Sequence, residues 1–131
     1  MITTFTHTLR VYYEDTDMAG IVYYANYLRF IERGRSDWVR DIGMDQNRMK
    51  DEYGIVFAVK RIEADYLAPA RLDDVLVVET VLDQVKGARF LMKQRVMRGD
   101  QCLFTADVSI VVMTLNGRPT RLPAEIRALL Q

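Results

Sequence analysis

The chain has little of what several function classes require. Its 131 residues include one cysteine and one histidine. Cys102 therefore has no partner for an internal disulfide, and His7 alone supplies no set of imidazoles to cage a metal. No structural metal is expected on that basis, and no redox cofactor is expected either. An excess of charge of one sign is missing too, since 18 basic residues balance 18 acidic ones. Affinity for phosphate backbones needs a surplus of Lys and Arg, so a dedicated nucleic-acid binder is excluded. The longest apolar stretches, such as 108–115, fall far short of the ~20 residues that span a bilayer. The start, Met1-Ile2-Thr3-Thr4-Phe5-Thr6-His7, lacks a basic segment followed by an apolar run. No signal peptide is read there, and a cytoplasmic location is expected. Prolines number only three, and no Gly/Ser-rich linker, repeat or low-complexity tract occurs. What is present is a half-hydrophobic chain, enough for one packed core over 1–131 as a single domain.

The patterning runs strand, helix, strands. Phe5, His7, Leu9, Val11 and Tyr13 alternate with Thr6, Thr8, Arg10 and Tyr12, which predicts a half-buried strand. The stretch 14–20, Glu-Asp-Thr-Asp-Met-Ala-Gly, breaks the alternation and predicts a loop. From Tyr27, apolar or small residues recur at Ile31, Gly34, Trp38 and Ile42, with Leu28, Phe30, Arg35 and Val39 widening the stripe. This predicts one amphipathic helix of roughly 16–20 residues. Asn26 is the expected start and Gly43 the expected stop. Arg33 and Asp37 stand four apart and are spaced for an ion pair, and Glu32 and Arg35 are expected to pair one turn apart.

Beyond the helix the pattern is mostly strand. The run 55–67 ends before Pro69. In 75–85, Val75, Val77, Val81 and Val85 are set against Thr80 and Gln84. Turns at Lys86-Gly87 and Arg98-Gly99-Asp100 join two further strands, 89–97 and 102–115, as hairpins. The stretch 123–130 predicts a short terminal helix led by a proline. This order is α+β, and a helix layer on one sheet leaves apolar edges that favour self-association.

The chemistry-bearing candidates cluster ahead of the helix. Asp15 and Asp17 precede Gly20 and the aromatic run Tyr23, Tyr24, Tyr27. Amides at a helix start have no backbone partner, and the helix dipole favours negative charge there. A carbonyl held against them is polarised, and a nearby carboxylate can activate water or attack directly. Turn and capping hydrogen bonds are the alternative use of Asp15 and Asp17. Tyr23, Tyr24 and Tyr27 suit either a substrate pocket or the core. His7 reads as a satisfied core or interface histidine, and Cys102 as packing. Met44, Met49, Met92, Met97 and Met113 read as filler. Lys60, Arg61, Lys86 and Arg89 lie near strand ends, as solvated charge or as phosphate contacts across an interface.

The stretch 10–27, Arg-Val-Tyr-Tyr-Glu-Asp-Thr-Asp-Met-Ala-Gly-Ile-Val-Tyr-Tyr-Ala-Asn-Tyr, followed by Phe30 and Glu32-Arg33-Gly34-Arg35, closely resembles the signature of the 4-hydroxybenzoyl-CoA thioesterase family. More narrowly it is similar to the Tol–Pal-associated acyl-CoA thioesterase branch. The tail Asn116-Gly117-Arg118-Pro119-Thr120-Arg121-Leu122-Pro123 matches the family's closing pattern.

The resemblance implies a hotdog fold, an antiparallel five-stranded sheet wrapped around one long central helix. It further implies hydrolysis of acyl-CoA, or of an acyl carrier protein thioester, by a homodimer or homotetramer with its active sites at the subunit interface. It puts the catalytic aspartate on Asp17, the carbonyl-polarising backbone N–H on Tyr24, the loop tyrosine on Tyr13 and the turn glycine on Gly20. Many relatives in the narrower branch carry histidine where this chain has Tyr24, whereas the hydroxybenzoyl-CoA enzymes carry tyrosine. A mechanism needing an imidazole there has none in this chain. A non-hydrolytic acyl-thioester or protein-binding module is the rival reading. A dehydratase lacks the histidine partner that it needs.

Overall fold

The computed structural model describes residues 3–130. Strand β1 (Thr4–Arg10) leads through a loop to helix α1 (Asn26–Asp41). A short helix α2 (Gln46–Arg48) runs into a wide helical turn, Met49–Tyr53. Strands β2 (Ile55–Tyr66), β3 (Val75–Lys86), β4 (Arg89–Arg98) and β5 (Gln101–Thr114) follow, and helix α3 (Ala124–Leu129) closes the chain. The five strands form one antiparallel sheet in the order β1-β3-β4-β5-β2. Hairpins join β3 to β4 and β4 to β5, while β1 and β2 lie at the two edges. The predicted α+β architecture is the one observed.

Helix α1 lies across β1, β3 and β4 and buries Tyr27, Phe30, Ile31, Trp38 and Val39 against them. Gly34 is the point of closest approach. A Cβ built there would stand 2.7 Å from Val78 Cγ1, so only glycine lets the helix sit this near the sheet. The helix spans 16 residues and stops before Gly43, whose φ of 94° suits a residue without a Cβ.

Local expectations fail in four places. Val75, Val77 and Val81 do not face the core; Leu76, Val78 and Thr80 do. Thr80 can be buried because its hydroxyl accepts from Gln94 Nε2 at 2.9 Å, so polarity misleads about phase. A bulge between Leu82 and Gln84 then shifts the register, bringing Val85 opposite the buried Phe90. Tyr13 is not on the first strand, which ends at Arg10, but opens a tight turn, Tyr13–Asp15. Asp37 pairs not with Arg33 but with His7 Nδ1 at 2.6 Å and Arg40 at 3.0 Å, which satisfies His7 as expected. Arg35 turns inward to Gln94 Oε1 at 3.0 Å, while Glu32 accepts from Ser36, so Glu32 and Arg35 do not pair. Among the described residues no helix is long and apolar enough to cross a membrane.

Candidate active site

The loop between β1 and α1 is held by one buried carboxylate. Asp15, 5% exposed, accepts from the Tyr12 N–H at 2.8 Å and from Asn26 Nδ2 at 2.6 Å. Its own carbonyl accepts from the Tyr23 N–H at 2.9 Å. Asp15 therefore fastens both ends of the loop to the first residue of α1. Asn26 is that first residue rather than a cap; Ala25 occupies the cap position and has no side-chain bond to offer.

Between these anchors the loop pairs with itself, Thr16 opposite Val22. Asp17 N–H donates to the Ile21 carbonyl and Gly20 N–H to the Asp17 carbonyl, closing a tight turn with Gly20 at φ 78°. The Asp17 side chain is exposed, with Oδ1 accepting from the Ala19 N–H at 2.9 Å. The turn-capping bond expected of a loop aspartate is thus present, and it uses one oxygen. Oδ2 has no partner among the described residues.

At the helix start, the Tyr23 carbonyl accepts from the Asn26 N–H at 2.8 Å. The amides of Tyr24 and Ala25 donate to no acceptor among the described residues. They are the orphan donors that a helix N-terminus leaves, and they carry its positive end. Beside them lies an apolar cavity of about 370 Å³, lined by Ile21, Val22, Tyr24, Tyr27, Tyr66, Leu67, Ala68 and Pro69.

The structure separates the three tyrosines that sequence left open. Tyr27 is 3% exposed and stacks on Phe104 at 5.1 Å, so it is core that also floors the cavity. Its hydroxyl accepts from the Ala70 N–H at 3.0 Å, and burial raises its pKa. Tyr24 lines the cavity and is largely exposed, with Tyr23 packed on it at 4.9 Å. Tyr13, Tyr23, Asp17 and Gly20 stand on the same loop but do not line the cavity of the single chain. Tyr13 is 83% exposed.

The opposite wall was not legible in sequence. Tyr66, at the end of β2, donates from its hydroxyl to the Tyr24 carbonyl at 2.8 Å. The segment after it is stitched to the loop: Ala70 accepts from the Val22 N–H at 2.8 Å, and Ile21 bridges Arg71. Asp74 clamps that segment by accepting from the Arg71 N–H and from Arg98 Nη1 at 2.8 and 2.7 Å. Partial burial alone would raise the Asp74 pKa, but the Arg71 amide and the Arg98 guanidinium hold it below the usual value. Apart from the Arg71–Asp74 bond, these contacts span tens of residues, and no local pattern signals them.

The remaining candidates disperse. Lys86 and Arg89 face each other across the β3–β4 turn and, with Gln84 and Ser109, line a shallow cavity of about 180 Å³. Lys60 and Arg61 lie on β2, where Arg61 pairs with Glu63. Cys102 is half-buried, with Sγ against the Phe104 carbonyl. Met44, Met49 and Met92 are buried as filler.

Comparison with known proteins agrees with this fold. Residues 11–130 match the thioesterase-like superfamily. The chain is similar to the acyl-CoA thioesterase YbgC of Haemophilus influenzae, with 42% identity over 95% of this chain and 92% of that protein. It is also similar to the acyl-CoA thioester hydrolase YbgC of Escherichia coli O6:H1, with 38% identity over 96% of this chain and 95% of that one. The fold superposes on the crystal structure of a 4-hydroxybenzoyl CoA thioesterase mutant complexed with 4-hydroxybenzoyl CoA. The TM-score is 0.90 at 26% identity, covering 98% of this chain and 99% of that one.

Proposed function

The chain belongs to the thioesterase-like superfamily with the hotdog fold, and from that premise we propose that it is an acyl-CoA thioesterase, hydrolysing short-chain or aromatic acyl-CoA to free acid and CoA. The observation that carries the reading is the pair of unpartnered amides at Tyr24 and Ala25, beside an apolar cavity and next to the Asp17 loop.

In this reading the acyl group enters the cavity walled by Tyr24, Tyr27 and Tyr66, and the thioester carbonyl oxygen meets the Tyr24 N–H. The amide and the helix dipole stabilise the negative charge that grows on that oxygen. One such donor is worth about 3–4 kcal/mol of barrier. Asp17 supplies the other half, either taking a proton from an attacking water or attacking the carbonyl carbon itself to form a mixed anhydride that water then hydrolyses to the free acid. Collapse of the tetrahedral intermediate breaks the carbon–sulfur bond and expels CoA as thiolate. A thiolate leaves readily, which is why one carboxylate and one or two aligned amides suffice without metal or imidazole. Gly20 shapes the turn that carries Asp17, and Tyr13 and Tyr23 flank it on the exposed side.

That exposed side supports self-association. Tyr12, Tyr13, Met18, Tyr23 and Tyr24 are all large, apolar and largely in solvent, and β2 offers an unpaired edge. A homodimer or homotetramer would cover these residues and complete the site at the subunit seam. A CoA substrate accords with the cytoplasmic location expected from sequence.

The test is thiol release from a panel of short-chain, long-chain and aromatic acyl-CoAs, with acyl carrier protein thioesters in parallel. Turnover of short-chain or aromatic CoA esters supports the reading. Release from none of the panel favours a non-hydrolytic binding module.

A further inference from the structure

Tyr66 ends β2 across the cavity from the helix start, 42 positions from the residue that it binds. Its ring stands edge-on to Tyr27 at 5.5 Å and to Phe104 at 5.0 Å, which fixes the aromatic plane. Its hydroxyl reaches the Tyr24 carbonyl at 2.8 Å. That carbonyl is free to receive it for a specific reason. The bonds of the helix begin at its cap, Ala25, whose carbonyl accepts from the Leu28 N–H at 3.2 Å, so the Tyr24 carbonyl one residue ahead lies outside the ladder. The peptide plane just ahead of the helix, joining the Tyr24 carbonyl to the Ala25 N–H, is thus oriented from outside by a side chain. Burial raises the Tyr66 pKa, which keeps the phenol protonated and able to donate.

We propose that Tyr66 is a positioning residue for thioester hydrolysis: its hydroxyl holds the Tyr24–Ala25 peptide so that the Ala25 N–H joins that of Tyr24 in facing the substrate carbonyl, while its ring walls the acyl cavity. This rests on the thioesterase reading above. The hydroxyl does not touch the reacting atoms. It acts through the direction of the Ala25 amide, which stabilises charge only when aimed at the oxygen as it becomes negative. A bond donated to a peptide carbonyl also polarises that peptide and strengthens its N–H as a donor.

The experiment is Tyr66→Phe, read by steady-state kinetics, thermal unfolding and the amide ¹⁵N resonance of Ala25. The ring stays, so the cavity wall and KM are retained, while kcat falls about three- to tenfold, the effect of one lost hydrogen bond. The Ala25 resonance shifts and the unfolding midpoint stays near that of the wild type. An unchanged kcat, an unmoved Ala25 resonance, or a kcat loss matched by a fall in unfolding temperature overturns the proposal. A wild type that hydrolyses no thioester refutes the parent reading instead. The Ala25 resonance needs no substrate and still decides whether the phenol holds this peptide.

Discussion

Replacing Gly34 with alanine tests how closely α1 must sit on the sheet. The new Cβ would stand 2.7 Å from Val78 Cγ1, 3.1 Å from Thr80 Oγ1 and 3.3 Å from Gln94 Nε2. Carbon atoms pack at about 3.5–4.0 Å, so the helix or Val78 must retreat by close to 1 Å. Alanine favours a helix over glycine by about 1 kcal/mol. Against that stands overpacking of a filled core, about 1–3 kcal/mol. Retreat also stretches the buried bond from Gln94 Nε2 on the sheet to the Ile31 carbonyl on the helix, now 2.8 Å. The clash wins, with a net loss of about 1–2 kcal/mol, or a fall in Tm of about 4–8 °C for a chain of this size. Val78→Ala alone costs about 2 kcal/mol for its cavity, but in the double variant it makes room for the new methyl. The two losses are therefore less than additive by about 1 kcal/mol. Melts of the wild type, both singles and the double decide the matter. A Gly34→Ala protein as stable as the wild type, or strict additivity, refutes the close-approach argument.

Tyr27→Phe removes the acceptor of a buried amide, that of Ala70, and should lower stability by about 1–2 kcal/mol. Urea unfolding then shows a lower midpoint at an unchanged slope. The depressed Asp74 pKa means that the folded form binds fewer protons there than the unfolded chain, so this stabilisation is present above the usual carboxylate value, about pH 4. It is lost as pH falls through the lower folded value. Asp74→Asn should accordingly melt below the wild type at neutral pH and draw level with it in acid; a gap that persists in acid contradicts the assignment.

Helix α1 was legible because its apolar stripe and terminal glycine repeat at the helical period, and the hairpins because Gly87 and Gly99 sit between β-rich runs. The phase of β3 was not. A buried threonine looks like surface until its partner Gln94, one strand away, is known. The loop behaved similarly. Its acidic character and its place before the helix were plain, and Tyr24 and Tyr27 do share a cavity. Spacing alone did not distinguish Asp15, buried and fastened to Asn26, from Asp17, exposed with one oxygen unengaged, since both are aspartates in one turn; only the family resemblance singled out Asp17. The pairings that replaced expected ones, His7 for Arg33 at Asp37 and Gln94 for Glu32 at Arg35, are contacts between elements. Local spacing reports only neighbours on one helix face.

The most direct test is the rate of CoA release by Asp17→Asn on whichever acyl-CoA the wild type turns over fastest, with substrate binding measured alongside. The amide keeps the turn bond to the Ala19 N–H but can neither accept a proton from water nor attack as a carboxylate. The account predicts intact binding and a kcat about 10²–10⁴-fold lower. Release at a rate close to that of the wild type would contradict it.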